Sequence, residues 1–314
     1  MNGRVDRDGE PTEVAQELVQ PRVLGLKQRI ADYTSLTKPR IMTMSLLTVW
    51  GSMSVSVAVD AGHWPSHVLI AATLIGVALA VAAGGALNCF LEREHDALMI
   101  RTAQRPLPAG RLRPWEALTF GTVLWIVSYF LLYFLVNPLT AYLTMLAFGS
   151  YVGLYTPMKR RSPWCTVVGA IPGALPPLIG STAILDRIDP VGLALFAILF
   201  VWQIPHFLSF AILRRDEYAQ AGMPMMPVVC GPRRTIHAIV LGVVILIPLS
   251  FLPVALMDAG RAYVILAAVL DGLFLIHAIR GLVEETNAVW CRSFFQFSII
   301  YLGLLFTSLV IGAT

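Results

Sequence analysis

Long apolar runs separated by short polar stretches dominate the chain from about residue 36 onward. Nine of them approach the roughly 20 residues that a helix needs to cross a bilayer: 40–59, 67–90, 114–136, 139–156, 165–185, 190–212, 236–257, 262–280 and 294–313. No hydrophilic domain interrupts them. The pattern therefore predicts one all-α, polytopic membrane domain of nine transmembrane helices. The start of the chain reads differently. MNGRVDRDGEPTEVAQE is polar and mixed in sign, lacks the apolar core of a signal peptide, and carries too many acids for a mitochondrial transit peptide. It is expected to be a flexible cytoplasmic tail. Val23, Leu24, Leu26, Ile30, Tyr33 and Leu36 then recur at helical spacing, with Lys27 and Arg29 between them, which predicts a short interfacial helix. The expected division is a tail over 1–35 and a membrane domain over 36–314.

Composition supports the membrane reading. The chain of 314 residues is 57% apolar and 13% charged, with a mean hydropathy of +0.71. Soluble domains carry roughly a quarter charged residues. The expected partner is the lipid bilayer, and no nucleic acid is expected. The cysteines Cys89, Cys165, Cys230 and Cys291 are scattered singly, with no metal or disulfide spacing. With the N-terminus inside, 21 of the 23 lysines and arginines fall on the inner side, and only Arg187 and Arg261 fall outside. The positive-inside rule thus orients the chain, with its long loops within.

Those long inner loops, after the second and sixth spans, hold the candidate chemistry. The first begins NCFLEREHDALMIRTAQRPLPAGRL at Asn88. Asn88, Glu92 and Asp96 stand four apart, so they share one face if the second span continues as a helix past the membrane surface. Three oxygen-bearing side chains on one stripe suit a hard cation such as Mg²⁺, which takes one or two carboxylates together with substrate phosphates and water. Glu94 falls off that face. The competing reading is a helix end with solvated charges. Arg101 and Arg105, again four apart, favour the first reading, because guanidinium forks match phosphate oxygens. Acids that hold a metal beside arginines that hold phosphate describe a diphosphate site.

The sixth span ends WQIPHFLSFAILRRDEYAQAGMPMMPVVCG. Pro205 is expected to kink it. His206 lies about two turns from the inner surface, where polar groups usually face the bundle interior. It is a candidate catalytic residue; iron ligation, proton transfer and hydrogen bonding to substrate all remain open, as does a structural role. Arg214, Arg215, Asp216 and Glu217 follow, so two charged loops on one side can clamp a metal diphosphate between them. Lys159, Arg160 and Arg161 end the fourth span as membrane anchors or phosphate contacts. Tyr155 is a cavity candidate. Asp271 lies deep in the eighth span, where an acid is a functional candidate by default, but a hydrogen-bonded structural role fits it as well. His277 reads as interfacial, and Trp115, Trp164 and Trp290 fit an aromatic belt.

The motif NxxxExxxDxxMxRTxxRPLPAGR at 88–111 resembles the first motif of the heme O synthases (protoheme IX farnesyltransferases), members of the UbiA superfamily of intramembrane prenyltransferases. TKPRIM at 37–42, YTPMKRRSPW at 155–164, GAIPGALPPLIG at 169–180, and WQIPHF with DEYAQAGMPMMPV at 202–228 are also similar to that group's signatures. The resemblance runs from about Leu36 to the C-terminus. Cys89 stands where the superfamily commonly has Asp, and Glu92 stands where it has another. Asp216 is followed four later by Gln220 instead of a second Asp, which leaves Glu217 as a candidate ligand.

The resemblance implies a farnesyl diphosphate donor, a heme B acceptor, Mg²⁺, heme O as product, and spans around a central cavity open to the cytoplasm. It implies metal contacts from Asn88, Glu92, Asp96, Asp216 and Glu217. Diphosphate contacts would come from Arg101, Arg105, Lys159, Arg160, Arg214 and Arg215, and catalytic roles would fall to Asp96, Arg105 and His206. It also implies a bacterial inner-membrane location, with heme A synthase or terminal-oxidase assembly factors as candidate neighbours. Two alternatives stand beside it. One is a related prenyltransferase acting on a quinone precursor or chlorophyllide. The other is a small-molecule transporter, which predicts midplane polar residues and an internal repeat.

The charge asymmetry predicts that a reporter fused at the C-terminus is active only when it functions outside the cytoplasm. Activity of a cytoplasm-only reporter there reverses the orientation.

Overall fold

The computed structural model describes residues 25–257, 259–283 and 287–313. Of the expected tail over 1–35, residues 1–24, including Val23 and Leu24 of the expected interfacial helix, lie outside them. Among the described residues the chain is helical and contains no strand. A surface helix, α1 (Leu26–Leu36), precedes α2 (Pro39–Ser56), α3 (His67–Asp96), α4 (Pro114–Leu135) and α5 (Pro138–Gly149). Then come α6 (Cys165–Leu185), α7 (Pro190–Leu213), the short α8 (Arg215–Gln220), α9 (Pro232–Ser250), α10 (Gly260–Val283) and α11 (Ala288–Ala313). Among the described residues, eight helical segments are long and apolar enough to cross a membrane. The remaining expected span, 139–156, is built as the 12-residue α5 followed by a π-helical stretch, Ser150–Tyr155. The protein is a multi-pass membrane protein.

The helix starts follow from local chemistry. Pro39, Pro114, Pro138, Pro190 and Pro232 open α2, α4, α5, α7 and α9. At that position the missing amide would have had no partner in any case. Ser66, Asn137 and Asp189 cap α3, α5 and α7 by accepting the amides of Leu69, Thr140 and Gly192. The helix α7 is assigned without a break through Pro205. The helix α3 runs six residues past the expected end of its span, and this overhang carries the first charged motif beyond the apolar run.

Two apolar clusters hold the bundle. Leu195, Ile198, Trp202, Ile239, Val243, Phe274, Phe294 and Tyr301 join α7, α9, α10 and α11. Val49, Met53, Val77, Leu143, Leu175 and Ile179 join α2, α3, α5 and α6. Hydroxyl bonds cross between spans where lipid would offer no partner: Ser52 donates to the Pro177 carbonyl and Ser128 to that of Gly76. The helix α1 leaves Leu26 and Ile30 exposed, as an interfacial helix should. Its polar face is tied to the start of α4 and the loop before it. Arg29 pairs with Glu116, and the buried Asp32 accepts from Arg111 at 3.0 Å.

Asp271 is buried between three helices. Its carboxylate accepts from Ser250 of α9 at 2.6 Å and from Tyr301 of α11 at 2.7 Å, and Tyr263 donates to the Ser250 carbonyl. The aromatic belt is corrected at one residue. Trp115 and Trp164 are exposed, but Trp290 is 3% exposed. Its indole fills the space over Gly281, where a Cβ would lie 2.3 Å from the ring, and its Nε1 donates to the His277 carbonyl. The sequence signal misleads here because the glycine that admits the ring sits on another helix.

Asp271→Leu leaves the buried Tyr301 hydroxyl without its acceptor, while Ser250 keeps the Ile247 carbonyl, so it should lower stability by about 1–3 kcal/mol. Asp271→Asn, which keeps one acceptor, should lose less. Thermal unfolding of the detergent-solubilised variants checks the order.

Candidate functional site

The last turns of α3, from Asn88 in the expected span to Glu92 and Asp96 in the overhang, lie in a protein interior, at 2%, 2% and 1% exposure. Glu94, off that face, pairs with Arg93 at the surface. Buried acids need partners, and each of the two on this face meets a cation from a different segment. Lys159 donates to Glu92 at 3.0 Å, and Arg105 donates to Asp96 Oδ2 at 2.6 Å. Lys38 donates to Asn88 Oδ1 and, at 3.0 Å, to the Tyr151 hydroxyl. The Asn88 amide donates in turn to Thr156 Oγ1 at 3.1 Å. The loop is pinned where Thr102 Oγ1 donates to the Asp96 carbonyl at 2.8 Å. Asp96 Oδ1 is enclosed and has no hydrogen-bond partner, as is true of His95 Nδ1 beside it in sequence and of Nε in Arg160 and Arg214.

Charge is concentrated here. Burial works against the charge of Lys159, but Tyr155 and Glu92 outweigh it and hold its ammonium above the ordinary lysine value. Burial likewise opposes the charge of Arg105, and Asp96 foremost outweighs it, so this guanidinium also titrates above its usual value. Lys159 is therefore turned into the protein interior against Glu92 instead of lying at the membrane surface. Tyr151 and Tyr155 stack at 5.6 Å on the π-helical stretch and wall the lysine side of the site. Such stretches recur at functional sites because they redirect side chains.

Lys38, Tyr151 and Thr156 were not singled out by the sequence. Lys38 reaches Asn88 because the turn between α1 and α2 is unusually tight. Its backbone is left-handed, φ 52° and ψ 62°, a conformation disfavoured for a residue with a Cβ. The turn rests against Gly85 of α3, where a Cβ would lie 2.5 Å from the Leu36 carbonyl oxygen. The available sequence signal is a lysine directly before the proline that opens a span.

The second loop is joined to the first by packing. Met99 from the first loop clusters with Cys165, Tyr218, Met223 and Met225. Arg214 pairs with Glu217 at 2.6 Å. Arg101, Arg215 and Asp216 are exposed and make no side-chain hydrogen bond or ion pair among the described residues. Arg160 donates to the Leu91 carbonyl on α3. The structure thus brings Asn88, Glu92, Asp96, Arg105 and Lys159 together with Lys38. It gives Asp216 and Glu217 no contact with them. Among the described residues, no three His, Cys, Asp or Glu side chains converge as a metal cage. Two acids and an amide, with one acid oxygen left over, fit a cation that takes its remaining ligands from phosphate and water.

His206 lies elsewhere along the bundle. Its ring is stacked between Trp202 at 4.6 Å and Phe295 at 4.4 Å, and its Nδ1 meets Ser298 Oγ at 2.7 Å.

A helical membrane bundle thus carries paired cations and acids around an amide, at the end of one long helix. The model of the UbiA prenyltransferase family matches residues 46–300. The chain is 43% identical over 289 residues to a protoheme IX farnesyltransferase of Anaeromyxobacter sp. (strain Fw109-5), covering 91% of this chain and 95% of that protein. It is 43% identical to a protein of the same name from Myxococcus xanthus (strain DK1622), covering 90% and 94%. Among solved structures, a digeranylgeranylglyceryl phosphate synthase superposes with a TM-score of 0.76 at 19% identity, over 91% of this chain and 99% of that one. A UbiA homolog from Archaeoglobus fulgidus bound to GPP and Mg²⁺ gives 0.63 at 16% identity, over 88% and 99%. The chain belongs to the UbiA prenyltransferase family and, within it, to the protoheme IX farnesyltransferases.

Gly85→Ala should push the Leu36–Lys38 turn away from α3 and lower turnover about tenfold or more, equivalent to ~1.4 kcal/mol. Lys38→Met, which leaves the backbone contact alone, should match it. Unimpaired turnover in both variants removes Lys38 from the site.

Proposed function

We propose that the protein transfers the farnesyl group of farnesyl diphosphate to a vinyl group of heme B, with addition of water, giving heme O and diphosphate. The observation that carries the reading is the buried acid face of α3, matched by Lys38, Arg105 and Lys159, with Asp96 Oδ1 still unpartnered. Asn88, Glu92 and Asp96 would hold Mg²⁺, which supplies positive charge to the diphosphate oxygens. Arg105 and Lys159 would turn from their carboxylates to those oxygens as donor and metal arrive together. Arg101, Arg160, Arg214 and Arg215 would add charge around them, and Asp216 and Glu217 would approach the metal from the second loop.

Positive charge gathered before reaction favours heterolysis of the C1–O bond, whose electron pair leaves with the diphosphate. The apolar spans hold the farnesyl chain and exclude water from the allylic cation. The vinyl π pair forms the new C–C bond. Water adds to the cation left on the former vinyl group and gives up one proton. The membrane is the bacterial inner membrane, with the N-terminus and the cavity mouth on the cytoplasmic side, where both diphosphate and heme are available.

Radiolabelled farnesyl diphosphate, heme B and Mg²⁺ with the purified protein should yield labelled heme O. Asp96→Asn and Glu92→Gln should each lower this rate by about 10²–10³, on the scale of removing one preorganised electrostatic group. Arg105→Lys should lose activity too, since a fork becomes a point charge. Near-normal heme O formation by both acid variants reduces the acids to ion-pair partners. Label entering a quinone precursor but not heme B would change the acceptor.

A further inference from the structure

His206 is held on every side but one. Trp202, one turn earlier on α7, donates its Nε1 to the Ser298 carbonyl at 2.8 Å, while His206 Nδ1 meets the Ser298 hydroxyl oxygen at 2.7 Å. Both faces of the imidazole are covered, by Trp202 and by Phe295. The ring can neither tilt nor turn without breaking one of these contacts.

Two acceptors compete for the one hydroxyl proton of Ser298, the Phe295 carbonyl and His206 Nδ1. The Ser298 hydroxyl donates to the Phe295 carbonyl at 2.6 Å. A hydroxyl has one proton to give; with that proton on the Phe295 carbonyl, the same oxygen accepts from His206, Nδ1 carries the N–H and Nε2 keeps its lone pair. This is the tautomer the proposal below adopts and the Ser298 variant tests. Nε2 has no hydrogen-bond partner among the described residues and is not among the enclosed polar atoms. The open direction is in the ring plane, because the faces are taken.

A neutral imidazole with Nδ1–H bonded to a fixed acceptor and a free, in-plane Nε2 lone pair is the arrangement that metal-ligating histidines adopt. Iron in a porphyrin takes such a ligand axially. We propose that His206 Nε2 is an axial ligand to the iron of the acceptor heme, with Ser298 as the positioning residue that sets its tautomer. The assignment rests on heme B being the acceptor. An axial bond fixes the porphyrin at its centre, leaving the ring to be oriented so that one vinyl group faces the farnesyl donor. Without it, a flat apolar ring in an apolar bundle is held mainly by non-directional contacts.

Heme spectroscopy on the full-length protein tests this. Purified wild type with heme B should show histidine-ligated spectra. His206→Gln and His206→Gly should lose that signature and bind heme B more weakly, yet bind metal-free protoporphyrin IX as the wild type does. Imidazole added to His206→Gly should restore the signature. Ser298→Ala keeps the ligand but frees its tautomer. It should weaken heme B binding about 10- to 100-fold and shift the spectrum, and this variant carries the test if the His206 variants do not fold. Wild-type spectra in His206→Gln or in Ser298→Ala overturn the assignment. So does an equal loss of heme B and metal-free porphyrin in the His206 variants. A wild type that ligates heme B through His206 but transfers no farnesyl leaves the ligation standing and refutes the proposed reaction instead.

Discussion

Charge buried at the edge of a membrane must be matched group by group, because neither lipid nor a packed interior offers a compensating solvent. The last turns of α3 obey this constraint. Glu92 has Lys159, Asp96 has Arg105, and Asn88 has Lys38. The cations come from three places far apart in sequence, so the matching also locks the turn before α2, the first loop and the end of the π-helical stretch onto one helix. Glu92 and Asp96 against Lys159, Arg105 and Lys38 leave one positive charge in excess, and Lys38 spends it on the Asn88 amide oxygen and the Tyr151 hydroxyl.

The family match gives the reaction, and the geometry gives reasons for the parts. A methionine-rich contact between Met99 and the segment around Met223 and Met225 joins the loops. Unbranched thioethers fill such contacts without demanding one shape. Arg101 follows Met99 by two residues, and Arg215 and Asp216 precede Tyr218 on α8; all three are exposed, whereas Glu92 and Asp96 on α3 are buried with their partners.

The spans were legible because length and hydropathy act locally, and the α3 stripe because a helix repeats every few residues. Asn88, Glu92 and Asp96 could be read from spacing alone, and Arg105 from its neighbourhood. Lys38 could not, since its role depends on a left-handed turn and on a glycine on another helix. Lys159 was read mainly as a membrane anchor because charge counting does not distinguish a lysine at the surface from one turned inward. The burial of Trp290 and the bonds to Asp271 were hidden for the same reason: the partner that decides the matter is close in space and distant in sequence. The segment 139–156 was apolar enough to be noticed, but its change from α to π winding leaves no mark in hydropathy.

The tight turn after α1 has a practical side. Residues 26–38 contain no membrane span, so a shortened expression clone starting near Pro39 would look harmless and would still insert. It would lack Lys38, the Arg29 and Asp32 ion pairs, and the carbonyl packed on Gly85. The bonds that tie this segment down begin at Gly25, whose carbonyl accepts from the amides of Gln28 and Arg29, so a cut at Pro39 removes an anchored element and not a loose end.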